Sequence, residues 1–173
     1  MDISNLLMMT SDDIDFESLE VDVLEALIRS NEDQFIATDA LHELNVKDSQ
    51  RSLIISKEIL EGSFGDKFLM AQAISIIYLL EPNFLFRGFR ERISQYGPVL
   101  LDELVDLFWV DLKEKKGDQL FQSNLNILVE QLKHTGLDRF DNQDYINDLL
   151  VECDKNKVSR PEVQKTPGGD SEG

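Results

Sequence analysis

A chain of 173 residues with 42% hydrophobic residues, among them 10 Phe, can fill one domain-sized core, so one domain with or without a tail is expected. Its 34 Asp+Glu against 17 Lys+Arg leave a formal net charge of -17, which repels nucleic-acid phosphates and attracts cationic partners. No stretch approaches the roughly 20 apolar residues of a membrane span, the first ten residues lack the basic start of a signal peptide, and the single cysteine, Cys153, forms no internal disulfide, so a reducing cytoplasm is the expected location.

Pattern and punctuation predict about eight helices. The first covers about 16–29, with Leu19, Val23, Leu24, Leu27 and Ile28 at helical spacing after the acidic stretch 11–15. Asn31 is the expected cap of a second helix, about 32–44, with Phe35, Ile36, Ala40, Leu41 and Leu44 on its stripe. Asp48 or Ser49 caps a third, about 50–61, which Gly62 stops. A fourth, about 66–80, is strongly apolar and ends at Pro82, whose ring cannot continue a helix. A fifth runs from about 84 to 96, where Gly97-Pro98 breaks the chain. Pro98 then suits the first turn of a sixth, about 99–116, with Lys113, Lys115 and Lys116 near the negative end of its dipole. Asp118 starts a seventh, about 119–134, closed by Gly136, and Asn142 an eighth, about 143–152. Strand signals are poor, with no Asn-Gly or Asp-Gly hairpin turn. The expected fold is therefore all-α, with one helical domain over 1–153. Residues 154–173, with Pro161, Pro167, Gly168 and Gly169, read as a flexible tail.

Three segments open alike: Asp33-Gln-Phe35, Asp66-Lys-Phe68 and Asp118-Gln-Leu120, the first two 33 residues apart (from Asp33 to Asp66). Paired helices at that spacing have the length of a two-helix solenoid unit, whose open apolar face is buried by its neighbour. The segments 37–44 and 71–80 resemble second helices of HEAT or armadillo repeats, where small residues permit close packing. The resemblance implies about eight helices stacked as antiparallel hairpins, a HEAT-like solenoid; an irregular helical bundle is the alternative.

Few residues offer chemistry. His42 and His134 are the only histidines, too scattered with one late cysteine for a zinc site, so no metal and no cofactor are expected. Cys153, beside Glu152 and Asp154, reads as an inert surface thiol rather than a nucleophile. Asp102 and Asp106 lie at i,i+4, but in a chain this acidic any such pair is expected by chance. Calcium-loop and phosphate-loop motifs are missing. The segment 84–92 mixes three Phe with three Arg; it is either an exposed hot spot or, more often, core aromatics covered by arginine stems. Phe108 and Trp109 read as core of a central sixth helix. No catalytic residue is assigned and an enzyme is not expected.

Charge is more telling by segment. Residues 1–30 hold eight acids and one base, net -7; residues 31–61 net -4; residues 62–116 net -1; residues 117–152 net -5. The tail 154–173 holds four acids and four bases and sums to zero. The candidate partner-binding residues are therefore Asp12, Asp13, Asp15, Glu17, Asp22 and Glu25 at one end, and Asp138, Asp141 and Asp144 at the other. A solvated surface kept negative for solubility is the bland alternative. Small, acidic, all-helical chains of this kind resemble the immunity proteins of bacterial polymorphic toxin systems. That resemblance implies direct binding of a cognate toxin domain, often a basic nuclease, with carboxylates standing where phosphates would bind. A HEAT-like adaptor or scaffold subunit that binds another protein is the alternative. The expected partner is a basic protein, not nucleic acid or membrane.

Overall fold

The structure, a computed structural model, describes residues 3–30, 33–62, 64–115 and 117–158, the last three without their side chains. Among them the chain forms ten α-helices and three short 3-10 turns, with no strand. The helices are α1 (Ile3–Leu6), α2 (Val21–Ser30), α3 (Gln34–Lys47), α4 (Ser49–Leu60), α5 (Lys67–Leu80), α6 (Pro82–Phe86), α7 (Phe89–Ile93), α8 (Pro98–Asp111), α9 (Gln119–Thr135) and α10 (Gln143–Val158). None of these helices is long and apolar enough to cross a membrane.

The recurring aspartates are helix caps. One carboxylate oxygen of Asp33 accepts from the backbone N–H of Phe35 and Ile36 at 2.9 and 3.0 Å. Asp66 does the same for Phe68 and Leu69 at 3.1 and 3.0 Å, and Asp118 for Leu120 and Phe121 at 2.8 and 3.1 Å. Each satisfies two donors that a helix start leaves orphaned and puts a negative charge at the positive dipole end. Asp48 caps α4 through the N–H of Arg51. Asn31, the expected cap of the second helix, lies outside the described residues; α3 starts after Asp33 instead.

Several helix ends differ from the expected ones, and in two of them a side-chain cation binds the backbone carbonyls at the break. The expected first helix is a 3-10 turn over Phe16–Ser18 and then α2. Lys47 of α3 inserts its ammonium there and donates to the carbonyls of Glu17 and Leu19 at 2.6 and 2.9 Å. The expected fifth helix is broken into α6 and α7. Gly88 sits between them at φ +67°, a left-handed conformation that side-chain-bearing residues avoid, and the Arg92 guanidinium takes the carbonyls of Phe84 and Leu85. The sixth helix ends at Asp111 rather than near Lys116, which lies outside the described residues, and Lys115 folds back onto Asp111 at 2.5 Å. Gly136, at φ +86°, closes α9 as expected; an added Cβ would meet Asp138 at 2.8 Å. The last helix continues to Val158, beyond the expected end at Glu152 and across the 153/154 boundary, while 159–173 lie outside the described residues.

The helices pack as successive pairs, α2 on α3 and α4 on α5, with α5 also against α3 and α8, and α8 against α9 and α10. α5 is the central element, which accounts for its continuous apolar sequence. Leu69, Ala73 and Ile76 face a core shared with α1–α4, whereas Ala71, Ile74, Ile77 and Tyr78 face one shared with α6–α10. The second core is built on rings: Phe108 lies 5.2 Å from Phe121, 5.7 Å from Tyr78, 5.9 Å from Phe86 and 6.1 Å from Phe89, centroid to centroid. The aromatic segment 84–92 is therefore core rather than an exposed hot spot, with Phe89 buried and Phe84 and Phe86 half-buried against it. Two expectations change. Trp109 is half-buried, its ring 5.4 Å from Tyr145 at the edge of the core. Cys153 is not a surface thiol: α10 turns it inward at 4% exposure.

Candidate functional site

α3, α5 and α8 are each 14 residues long and lie side by side. They run parallel, because like ends meet. Phe35 near the start of α3 stacks on Phe68 near the start of α5, centroids 6.4 Å apart. Tyr78 near the end of α5 donates to Asp111 at the end of α8, at 2.5 Å. Between them the Ser75 hydroxyl donates to Glu103. Side chains at the second, sixth, ninth and thirteenth positions of a helix share one face; in all three helices that face borders solvent, with Gln72, Ser75, Val99 and Glu103 half-buried and Val99 packed against the second core. The second positions carry Phe35, Phe68 and Val99; the thirteenth carry Val46, Leu79 and Val110. Val46, Leu79 and Val110 are 68%, 69% and 75% exposed, and Phe35 is 59% exposed. Between these two apolar rows the sixth and ninth positions are polar, with Asp39, Gln72 and Glu103, then His42, Ser75 and Asp106.

The two acidic stretches singled out in the sequence border this face on opposite sides. On the α3 side, the Ser11 hydroxyl donates to Asp39. Asp15 and Glu17 line a shallow cleft of about 330 Å³ together with Ile14, Phe16, Asp39, His42 and Glu43. Asp12 and Asp13 are exposed in the 3-10 turn just before it, Asp13 accepting from the Thr10 hydroxyl at 2.8 Å. On the α8 side, Asp141 and Asp144 line a second open cleft of about 420 Å³ with Asn142, Gln143 and Tyr145. Asp138 is exposed in the 3-10 turn after α9.

The carboxylates on the α8 side feel one another. Partial burial holds Asp102 above the usual carboxylate range, and the charges of Asp106 and Asp141 push it further up. Burial also raises Glu103, with the Ser75 hydroxyl pulling the other way and Asp106 adding to the rise. The Tyr145 phenol is raised by burial and then by the facing Asp106 carboxylate. Among the described residues none of the ion pairs engages Asp39, Asp102, Glu103 or Asp106.

Asp22 and Glu25 are placed differently from their neighbours in sequence. Arg51 of α4 reaches Asp22 at 2.8 Å and Glu25 at 2.6 Å, while Arg29 pairs with Glu25 and Glu58, both at 2.8 Å. The Arg29 hydrogen bond, followed by Arg51, holds Glu25 below the usual range despite some burial. Three acids and two arginines thus form a nearly balanced network that ties α2 to α4. The remaining seven candidates stand outside it.

Residues that the charge reading missed are Asp39, Glu103 and Asp106, and the apolar rows on either side of them. Their signal was present: an outward apolar residue near each end of three 14-residue helices, starting at Gln34, Lys67 and Pro98. Among the described residues no group of three or more His, Cys, Asp or Glu could hold a metal ion. No protein-family model, curated protein or solved structure matches the chain.

Proposed function

We propose that this is a non-enzymatic binding protein that captures a basic protein partner, with the role of an immunity protein neutralising a cognate toxin domain in a bacterial cytoplasm. The observation that supports it most is the convergence of separate acidic segments on one helix face. Asp12, Asp13, Asp15 and Glu17 border that face on one side and Asp141 and Asp144 on the other, with Asp39, Glu103 and Asp106 between. Carboxylates without bound cations raise the local concentration of a cationic partner and speed its encounter. They also cost stability through mutual repulsion, which a cation from a partner would relieve. An adaptor or scaffold role would use the same face for a different partner; the regularity of the three parallel helices favours it as the second reading.

The test is capture from the source cells at low salt, identification of the bound protein, and measurement of its association rate. The rate should fall steeply with ionic strength. Replacing Asp12, Asp13, Asp15, Glu17, Asp141 and Asp144 by their amides should slow association and flatten the salt dependence. A partner without a basic surface, or a rate indifferent to both salt and the amides, would refute the basic-partner reading. Co-expression with the recovered partner separates the roles: restored growth supports immunity, and a partner that is harmless alone supports the adaptor.

A further inference from the structure

Resting on the reading of this chain as a binder of basic proteins, we propose that the α3–α5–α8 face docks a single amphipathic helix of the partner, carrying Lys or Arg along its contact stripe and apolar side chains on both flanks. The two apolar rows are eleven residues apart along each helix, about 16 Å at the α-helical rise. A helix about 10–12 Å across lies between them and touches both with its flanking side chains. Three parallel helices at ordinary packing distances span about 20 Å, the length of about 14 helical residues. The occupant's contact stripe then meets Asp39 on α3, Gln72 and Ser75 on α5, and Glu103 and Asp106 on α8, and its ends approach the acidic segments at Asp15 and Asp141.

Charge decides among occupants. A second copy of this chain would bring carboxylates against carboxylates. An anionic lipid surface has the wrong sign, and the apolar side chains are split into two rows by acids rather than joined into one patch. A purely basic loop would satisfy the acids and leave Val46, Leu79 and Val110 in water, apolar surface that flanking apolar side chains of a helix would cover. A helix with cations in the middle and apolar flanks satisfies both features.

The probe is a fluorophore-labelled synthetic peptide of leucine and lysine in that pattern, about 14 residues long, beside a comparator with serine in place of every leucine. The full chain is titrated into each and anisotropy is read. The leucine-lysine peptide should bind at low salt. Leu79→Ser with Val110→Ser should weaken it about tenfold or more. Asp39→Asn with Glu103→Gln and Asp106→Asn should weaken it and flatten its salt dependence. Ile54→Ser, which removes an exposed apolar side chain on α4 away from this face, should leave binding unchanged; circular dichroism checks that each variant is folded. Equal binding of the serine comparator would overturn the helix while leaving the basic-partner reading intact. Equal weakening by Ile54→Ser, no peptide binding at all, or concentration-dependent dimerisation abolished by Leu79→Ser would also overturn it. Failure to capture any basic protein from the source would sink the underlying reading instead.

Discussion

Replacing Asp66 by alanine tests whether the recurring aspartates are structural caps. Its carboxylate accepts from the N–H of Phe68 and Leu69, and Leu69 is fully buried in the first core. Losing a capping acceptor costs about 1 kcal/mol, and losing the charge from the positive end of the helix dipole adds about 0.3–1 kcal/mol. The sum, about 1–2 kcal/mol, corresponds to a drop of about 4 °C in Tm for a chain of this size. Asp66→Asn keeps an acceptor and loses only the charge, so it should cost about 0.3–1 kcal/mol. Asp33→Ala and Asp118→Ala should match Asp66→Ala, and the three should add, because the sites do not share partners. Thermal and urea unfolding followed by circular dichroism give the numbers. Equal losses for the Ala and Asn variants would mean that charge, not the hydrogen bonds, matters at this position. No loss in any of the three would refute the capping account of the repeated motif.

Phe108→Ala removes a fully buried ring from a cluster of four others and should cost about 3–5 kcal/mol, read as a lower denaturation midpoint with an unchanged slope. Glu103 has a folded-state pKa above its ordinary value, so its protonated form is favoured by folding; stability is greater below the ordinary pKa and is lost as pH rises through the raised one. Glu103→Gln should therefore raise Tm at neutral pH, with the gain shrinking as pH falls towards 4; a gain that grows on acidification would contradict the placement of that carboxylate. Cys153, turned inward on α10, should react slowly with a thiol reagent in the folded protein and quickly after urea unfolding. Equal rates would mean that α10 does not stay docked.

The helices themselves were legible because their signals are local. Asp66 and Asp118 lie within three residues of the N–H groups they satisfy, Gly136 stops α9 through its own φ, and the apolar stripe of α5 follows its own periodicity. The start of the first helix was set from a distance: nothing near Glu17 announces that Lys47 will take its carbonyl. The break between α6 and α7 is local, at Gly88, with Arg92 reaching back seven and eight residues to Leu85 and Phe84. The candidate site divides the same way. Residues 1–30 are the most acidic segment of the sequence, but Arg51, from the next hairpin, pairs with Asp22 and joins Arg29 on Glu25.

By itself, then, the sequence determined an all-helical chain, its caps, its core-facing stripes and the unequal distribution of its charge, because each depends on interactions within a turn or two of helix. Tertiary structure decided which acids are neutralised and that α3, α5 and α8 run parallel in matching register. It also decided that residues at 15–17 and 141–144 flank the same face. Those outcomes depend on how separate helices stack, and a side chain's charge does not reveal which distant helix will meet it.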